Sequence, residues 1–196
     1  YDMTSSLVGS EMCIRDSSFT FHVASEGDTN DILHVETRAF GYSKEARLVA
    51  DLLNDESACP TLSLLARHNG KAVGHILFTR ATFKGEPDSP MMHILAPLAV
   101  VPEYQGAGVG GGLIRHGIEQ LKAMGSQTVF VLGHATYYPR HGFEPCAGDK
   151  GYPAPYPIPE ALKACWMLQP LSSQPLGRTG QIQCARALMK PEHWRE

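Results

Sequence analysis

Apolar and polar positions change their period several times along this chain, and each change marks an element. Phe19-Thr20-Phe21-His22-Val23 alternates, which predicts a strand. Ile32, Val35, Ala39 and Phe40 then recur at helical spacing. Asp28 is the expected N-cap, with Asp31 three residues on, and Gly41 is the stop. Ser43 is placed to cap a second helix whose inner stripe is Ala46, Val49, Ala50 and Leu53. Residues 61–66 and 72–83 read as two strands joined by His68-Asn69-Gly70-Lys71, and the Asn-Gly pair favours a tight hairpin turn. A polar loop over residues 84–90 leads into a long apolar strand over 91–101. Pro97 interrupts that strand and cannot donate to a ladder, so a bulge or local break in pairing is expected there.

The next segment is Pro102-Glu103-Tyr104-Gln105-Gly106-Ala107-Gly108-Val109-Gly110-Gly111-Gly112. It runs directly into Leu113, Ile114, Gly117, Ile118 and Leu121, which share one helical face before Gly125 ends the run. Residues 128–132 form a short buried strand closed by Gly133, residues 135–140 a short helix, and Phe143 the start of another strand. Beyond residue 144 lie 8 of the 14 prolines, so regular structure is sparse, although residues 164–168 can add a strand. No internal repeat is present.

Composition narrows the function classes. With 196 residues, 43% hydrophobic and 19% charged, the chain has the profile of one soluble globular domain. A formal net charge of -3 supplies no basic field for a phosphate backbone, which argues against a nucleic-acid partner. No apolar run approaches the roughly 18 to 20 residues that span a bilayer. The five cysteines (13, 59, 146, 165, 184) are odd in number, scattered and without CxxC spacing, which fits a reducing, cytoplasmic compartment and no structural zinc. Residues 1–18 carry neither periodicity and resemble translated sequencing-adapter read-through (SLVGSEMCIRDS), so they are expected to be an artefact or a disordered tail. Without Asp2, Glu11, Asp16 and Arg15 the net charge moves by +2, from -3 to -1. Local groups, not global charge, must carry the function.

A strand, a glycine-rich turn and a helix N-terminus together make an anion site, because successive backbone N–H groups converge and the helix dipole adds partial positive charge. Two phosphate ligands compete for it, beside a ligand-free turn. Gly106-x-Gly108-x-x-Gly111 matches the dinucleotide fingerprint in form, but no acidic residue follows at the required distance of about 20 positions. Residues 126–134 read Ser-Gln-Thr-Val-Phe-Val-Leu-Gly-His instead. A Walker loop is excluded because no Gly-Lys-Ser/Thr ends the run.

The spacing Gln105-x-x-Gly108-x-Gly110 resembles the acyl-CoA signature, Gln/Arg-x-x-Gly-x-Gly/Ala, of the GNAT N-acetyltransferase superfamily. Leu98-Ala99-Val100-Val101-Pro102 looks like that family's fourth strand, and Val129-Phe130-Val131-Leu132-Gly133 its fifth. Tyr138-Pro139-Arg140-His141-Gly142-Phe143 is similar to its Tyr-x-x-x-Gly-Phe helix. The likeness runs from about Phe19 to at least Phe143 and is nearest to a group of single-domain bacterial acetyltransferases. It implies an α/β (α+β) domain over residues 19–170, a central mixed but mostly antiparallel sheet flanked by helices. Residues 171–196 are expected to form an extension packed on it.

For chemistry, the resemblance implies transfer of an acetyl group from acetyl-CoA, as cosubstrate, to a primary amine by direct attack in a ternary complex. The alternative is a non-catalytic acyl-CoA-binding or sensing module. The acceptor would be a small-molecule or peptide amine, and a homodimer is compatible with the family. The backbone of Leu98, Ala99 and Val100 would hold the pantetheine arm. The pyrophosphate would sit on Gln105, Gly106, Ala107, Gly108, Val109, Gly110 and Gly111. No metal is required, since the phosphates are bound and not transferred. Tyr138 takes the family's Tyr position and is expected to be the general acid and a cofactor contact, with Tyr137 as packing or substrate wall. His134 stands near the pantetheine, where it would bind cofactor, cap the short helix or face solvent. A base matters most for a lysine-like amine, whose pKa of about 10.4 costs roughly 4.6 kcal/mol to deprotonate at pH 7, against about 1 for an α-amine near 7.7. His75 is the first candidate, followed by His93 and by Glu36 on the first helix, while a water chain could replace all three. The remaining cysteines read as small apolar packers.

Overall fold

The computed structural model describes residues 18–195. Seven strands form the sheet: β1 (Phe19–Val23), β2 (Leu62–His68), β3 (Lys71–Phe83), β4 (Met92–Val100), β5 (Thr128–Leu132), β6 (Trp166–Pro170) and β7 (Ile182–Gln183). The first six are ordered as in the sequence, and β7 pairs with the far end of β3. Every pairing is antiparallel except β4 with β5. Three helices flank the sheet: α1 (Thr29–Phe40), α2 (Lys44–Leu53) and α3 (Val109–Met124).

Local chemistry explains these elements and corrects some of their expected ends. In the β2–β3 turn, Asn69 and Gly70 both take positive φ (50° and 79°), as a two-residue hairpin of this twist requires. Asp28 does not cap α1 with its side chain. Its carboxylate reaches back to accept from the Ser25 N–H (2.8 Å), closing a capping box one turn earlier, and also accepts from Arg67 Nη2 on β2 (2.8 Å). The Ser43 hydroxyl accepts from Arg47 Nη2 (2.7 Å) instead of capping α2. The buried stripe of α2 is Ala46, Val49 and Leu52, with Ala50 and Leu53 only half-buried. The strand expected from Phe143 reduces to a single bridge, Glu144 to Leu168. Pro145 has no N–H to continue the ladder, and Cys146 turns the chain at φ 59°. The last long strand starts at Trp166, two residues beyond the expected 164, because a 3-10 turn over Glu160–Cys165 precedes it.

The two sheet faces have different covers. α3 lies on one, close enough that a Cβ at Gly112 or Gly117 would meet the rings of Phe21 and Phe78 at 2.3 and 2.4 Å. α1 lies on the other, over β3 and β4, and α2 packs against α1. The rest of that second face is covered by the chain after β5. There Trp166 stacks on Phe130 (ring centroids 5.4 Å apart), and Trp194 meets Trp166 edge-on at 5.5 Å. The C-terminal segment is tied back further: Asp55 and Ser57 accept the backbone N–H groups of Ala187 and Arg186, each at 3.0 Å. Tail residues 1–17 lie outside the described residues, whereas the carbonyl of Ser18 meets His68 Nδ1 at 3.0 Å.

Candidate active site

β4 and β5 start side by side and then part. Their register runs Met92 to Thr128, His93 to Val129, Ile94 to Phe130 and Leu95 to Val131, and there it stops. At that point β4 changes register with β3: Phe78 faces Leu95 but Ile76 faces Leu98, so β4 spends one more residue than β3. The extra residue falls at Ala96-Pro97, where Pro97 was expected to break the pairing. Burial changes with it, since Leu95 is fully buried while Ala96, Pro97 and Leu98 are half-exposed. A wedge therefore opens between the C-terminal ends of two parallel strands, with the backbone of Ala96 to Val100 unpaired on its β5 side.

The glycine segment stands directly beyond. A 3-10 turn, Pro102–Tyr104, leads into it, and Gln105 Nε2 donates to the Val100 carbonyl (2.9 Å), closing the loop onto the end of β4. Gly108, at φ 86°, is the N-cap of α3 in the left-handed region that favours glycine. Among the described residues, the amides of Gly108, Val109, Gly110 and Gly111 have no backbone acceptor, and Gln105 to Gly108 are exposed. The first turn of α3 carries no acidic residue. Free N–H groups converging on the positive end of a 16-residue helix form a seat for phosphate.

Side chains that the sequence did not assign complete this seat. A Cβ on Gly110 would lie 2.5 Å from Tyr137 Oη, and one on Gly111 would lie 2.9 Å from the His141 ring and 3.6 Å from Arg115 Nη1. The Arg140 guanidinium lies 5.5 Å from the centre of the Tyr137 ring. An imidazole and the Arg115 guanidinium thus lie beside the start of α3, with the Arg140 guanidinium over the Tyr137 ring. His141 titrates below the ordinary histidine value because it is partly buried and because Arg140 and Arg115 repel its proton. Arg115 stands four residues beyond Gly111, one helical turn on, a spacing that could have pointed to it. Nothing in the spacing showed that the short helix turns Tyr137 toward the glycines.

Tyr138 begins the 3-10 turn Tyr138–His141 and packs beneath it, against Gly133, the edge of Phe143 and Tyr137. Burial pushes its phenol up, with the neighbouring Tyr137 adding to the effect, so it remains a protonated donor throughout the neutral range. His134, at the end of β5, is exposed, and its carbonyl receives the N–H groups of Tyr137 (3.1 Å) and Tyr138 (3.3 Å).

On the α1 side of the sheet, His75 is fully buried with both ring nitrogens engaged. Nδ1 lies 2.5 Å from Glu36 Oε1 and Nε2 2.8 Å from Ser63 Oγ. An acceptor amine has no route to this imidazole in the present arrangement, so the direct base role expected of His75 finds no geometric support. His93 is equally enclosed between Ser126 Oγ (2.8 Å) and the Pro60 carbonyl (2.9 Å), and burial lowers its pKa. Glu36 differs from both: its second oxygen, Oε2, is buried without a partner, and desolvation raises its pKa against the opposing hydrogen bond from His75.

Among the described residues no His, Cys, Asp or Glu cluster could hold a metal ion, and no helix is long and apolar enough to cross a membrane. A cavity of about 270 Å³ lies under the C-terminal segment, lined in part by Cys146, Tyr156, Lys163 and Trp166; none of its lining residues comes from β4 or the glycine segment.

This wedge and phosphate seat can be set beside known proteins. Residues 29–143, from α1 to the turn after β5, match the acetyltransferase (GNAT) family. The chain belongs to that family. It is 77% identical over 167 residues to the uncharacterized N-acetyltransferase YjhQ of Escherichia coli (strain K12), covering 85% of this chain and 92% of that one. Among solved structures it is similar to the GNAT family N-acetyltransferase YhbS from Escherichia coli in complex with CoA, with TM-score 0.79 and 27% identity over 88% of this chain and 93% of that one. It is also similar to a GNAT family acetyltransferase from Brucella melitensis in complex with acetyl-CoA, with TM-score 0.68 and 27% identity over 87% and 97%. The protein is thus an acetyltransferase of the GNAT family, with the mixed, mostly antiparallel sheet and flanking helices that its sequence implied.

Proposed function

We propose that the protein transfers an acetyl group from acetyl-CoA to a primary amine, by direct attack while both substrates are bound. The observation that carries this reading is the adjacency of two features: the wedge beyond Leu95 and Val131, and the unpaired amides at the start of α3. One fits a pantetheine arm lying along Leu98 and Ala99 as an added strand. The other fits its pyrophosphate, held by amides from Gly108 to Gly111 within the Gln105–Gly111 loop. The Val100 carbonyl is already engaged by Gln105, so the arm is held by the β4 groups before it. CoA- and acetyl-CoA-bound relatives of the same fold support the ligand.

In this reading Tyr138 donates a proton to the departing thiolate. A thiol of cysteine type, with pKa about 8.5, is already a fair leaving group, so the acid contributes at most about 10²- to 10⁴-fold. The exposed imidazole of His134 flanks the entrance to the wedge. Titration calorimetry with acetyl-CoA, CoA and NAD tests the site. Acetyl-CoA and CoA are expected to bind with micromolar affinity and NAD not at all. Gly108→Asp, which places a charged side chain at positive φ in the phosphate seat, is expected to abolish binding while circular dichroism remains unchanged. Tyr138→Phe is expected to keep the affinity and slow thiol release. If neither CoA species binds to the wild type, the reading fails.

A further inference from the structure

The cavity of about 270 Å³ beneath the segment after β5 lies apart from the cofactor seat. We infer that it holds the body of the acceptor, and that the acceptor is a primary amine carrying an aromatic or branched apolar group on a short arm. The inference deepens the acetyltransferase reading and rests on it.

Position is the first argument. Trp166, the first residue of β6, lines the cavity and pairs with Leu132. Leu132 is the first residue of β5 beyond Val131, where pairing with β4 stops. Next to it, the Gly133 N–H donates to the Cys165 carbonyl (2.9 Å), and a Cβ on Gly133 would meet the Tyr138 ring. Cys165 ends the 3-10 turn that carries Lys163, another lining residue. Neighbouring strands lie about 4.8 Å apart, so Trp166 stands one strand spacing from the strand that borders the wedge. Its ring stacks on Phe130, on the face opposite α3. Donor and acceptor therefore reach the end of β5 from opposite faces of the sheet, and a short alkyl arm carries the amine across.

The chemistry of the lining is the second argument. Trp166, Tyr156, Pro153, Pro157, Ile158 and Ala154 form its walls. Polar donors among the lining side chains are spent within the fold. Trp166 Nε1 donates to the Tyr152 carbonyl (2.7 Å) and the Tyr156 hydroxyl to the Met189 carbonyl (3.0 Å). Gln181 Nε2 donates to the carbonyls of Ala154 (3.2 Å) and Pro155 (3.1 Å). The two charged lining residues, Lys163 and Asp149, face each other at 3.6 Å, and Glu160 shares the same ammonium at 3.3 Å. A carboxylate on the ligand thus meets no unshared cation, and a second ammonium no unshared anion. Either group would lose its hydration without a partner. What remains for a ligand is apolar and aromatic surface. A cavity of about 150 Å³ already holds a benzene ring, so this one takes a ring or a branched chain with room for its arm.

The roles follow. The cavity binds the body while the neutral amine projects toward the thioester. Its nitrogen bonds to the acetyl carbonyl carbon, and the C–S bond breaks with its electron pair on sulfur. Tyr138 protonates the thiolate, and the proton lost by the nitrogen restores the phenol. The lining residues touch the body and not the reacting atoms, so they set specificity. Burial of the body is the same before and during the reaction, and such uniform binding lowers KM without raising kcat.

The test follows thiol release by the full chain from acetyl-CoA, with 2-phenylethylamine, 3-methylbutylamine, ethylamine, 1,4-diaminobutane and glycinamide as acceptors. Wild type is expected to favour at least one of the first two over ethylamine, which has the arm without the body, by at least about tenfold in kcat/KM, chiefly through KM. Gly148 lines the cavity, and a Cβ on it meets nothing within 4 Å, so Gly148→Phe brings a ring to the cavity without crowding the backbone. This variant is expected to lower the ratio of kcat/KM for the favoured amine to that for ethylamine at least about fivefold. Its acetyl-CoA affinity should stay within about twofold of wild type by calorimetry. Ile158→Ser, at a half-buried wall position, should lower the same ratio, and it keeps the proposal open to refutation if Gly148→Phe fails to fold. Wild-type protein that binds acetyl-CoA but acetylates none of these amines overturns the proposal. So does wild type that uses ethylamine, 1,4-diaminobutane or glycinamide as well as the apolar pair, and so do variants that keep the wild-type ratio. Wild-type protein that does not bind acetyl-CoA overturns the underlying reading instead.

Discussion

At the scale of single residues, the phosphate seat was half legible. The glycines announced themselves because free amides and close backbone approach require them. The imidazole beside them did not, because His141 reaches Gly111 only through the turn that follows β5. The buried Glu36–His75 pair was not legible, since the two residues are 39 apart and no spacing rule joins a helix to a strand over that distance. His141 gives the seat a pH dependence with a definite sign. In the free protein its pKa is lowered from about 6.5 by burial and by Arg140 and Arg115. A bound phosphate favours the imidazolium, so the bound pKa lies above the free one. The extra affinity is then complete at pH values below the free pKa and is lost as pH rises through the bound pKa. Calorimetric titration of CoA between about pH 5.5 and 8 should show tighter binding at the acid end, about tenfold for each unit of pKa difference. The CoA phosphate titrates in the same range, near pKa 6, so His141→Gln supplies the baseline. Identical pH curves for the two proteins would remove His141 from the seat.

At the scale of elements, periodicity placed nearly every strand and helix, and it failed where one proline or one buried ring decides. Pro97 was read correctly as a break because its missing N–H is a property of the residue alone. The strand after Phe143 was misread, because Glu144 can pair with Leu168 while Pro145 next to it cannot extend the ladder. The glycines within α3 carry a further packing argument. Alanine in place of Gly117 improves helix propensity by about 1 kcal/mol. Its Cβ, however, would sit 2.4 Å from the fully buried Phe78 ring. Overpacking of this kind costs typically about 1–3 kcal/mol, and a ring enclosed by the sheet has little room to yield. Gly117→Ala is therefore expected to lower stability in urea by up to about 2 kcal/mol. A stabilised variant would mean that the helix–sheet spacing relaxes freely, and the close approach of α3 would then need another cause.

At the scale of the whole molecule, the proline-rich composition beyond residue 144 announced sparse regular structure but not its task. The segment closes the α1 face by burying aromatic rings, and rings meet through long-range packing that no local period encodes. Trp194, 2% exposed, is its last anchor: the ring meets Trp166, and its Nε1–H donates to the Leu188 carbonyl at 2.9 Å. Replacing a buried tryptophan with alanine costs about 3–5 kcal/mol, a large share of the roughly 5–15 kcal/mol that holds a domain of this kind together. Ligand binding separates the structural part of that loss from any functional part. Acetyl-CoA at 100 times its dissociation constant stabilises a protein that binds it only when folded by about 2.7 kcal/mol. If the segment only braces the sheet, Trp194→Ala lowers the unfolding free energy by the full amount, and acetyl-CoA returns the same increment to variant and wild type alike. If it also shapes the wedge between β4 and β5, the increment returned to the variant is smaller, because its affinity has fallen. Equal increments are expected, since none of the groups assigned to the cofactor lies beyond residue 143, and urea unfolding of both proteins with and without acetyl-CoA decides the matter.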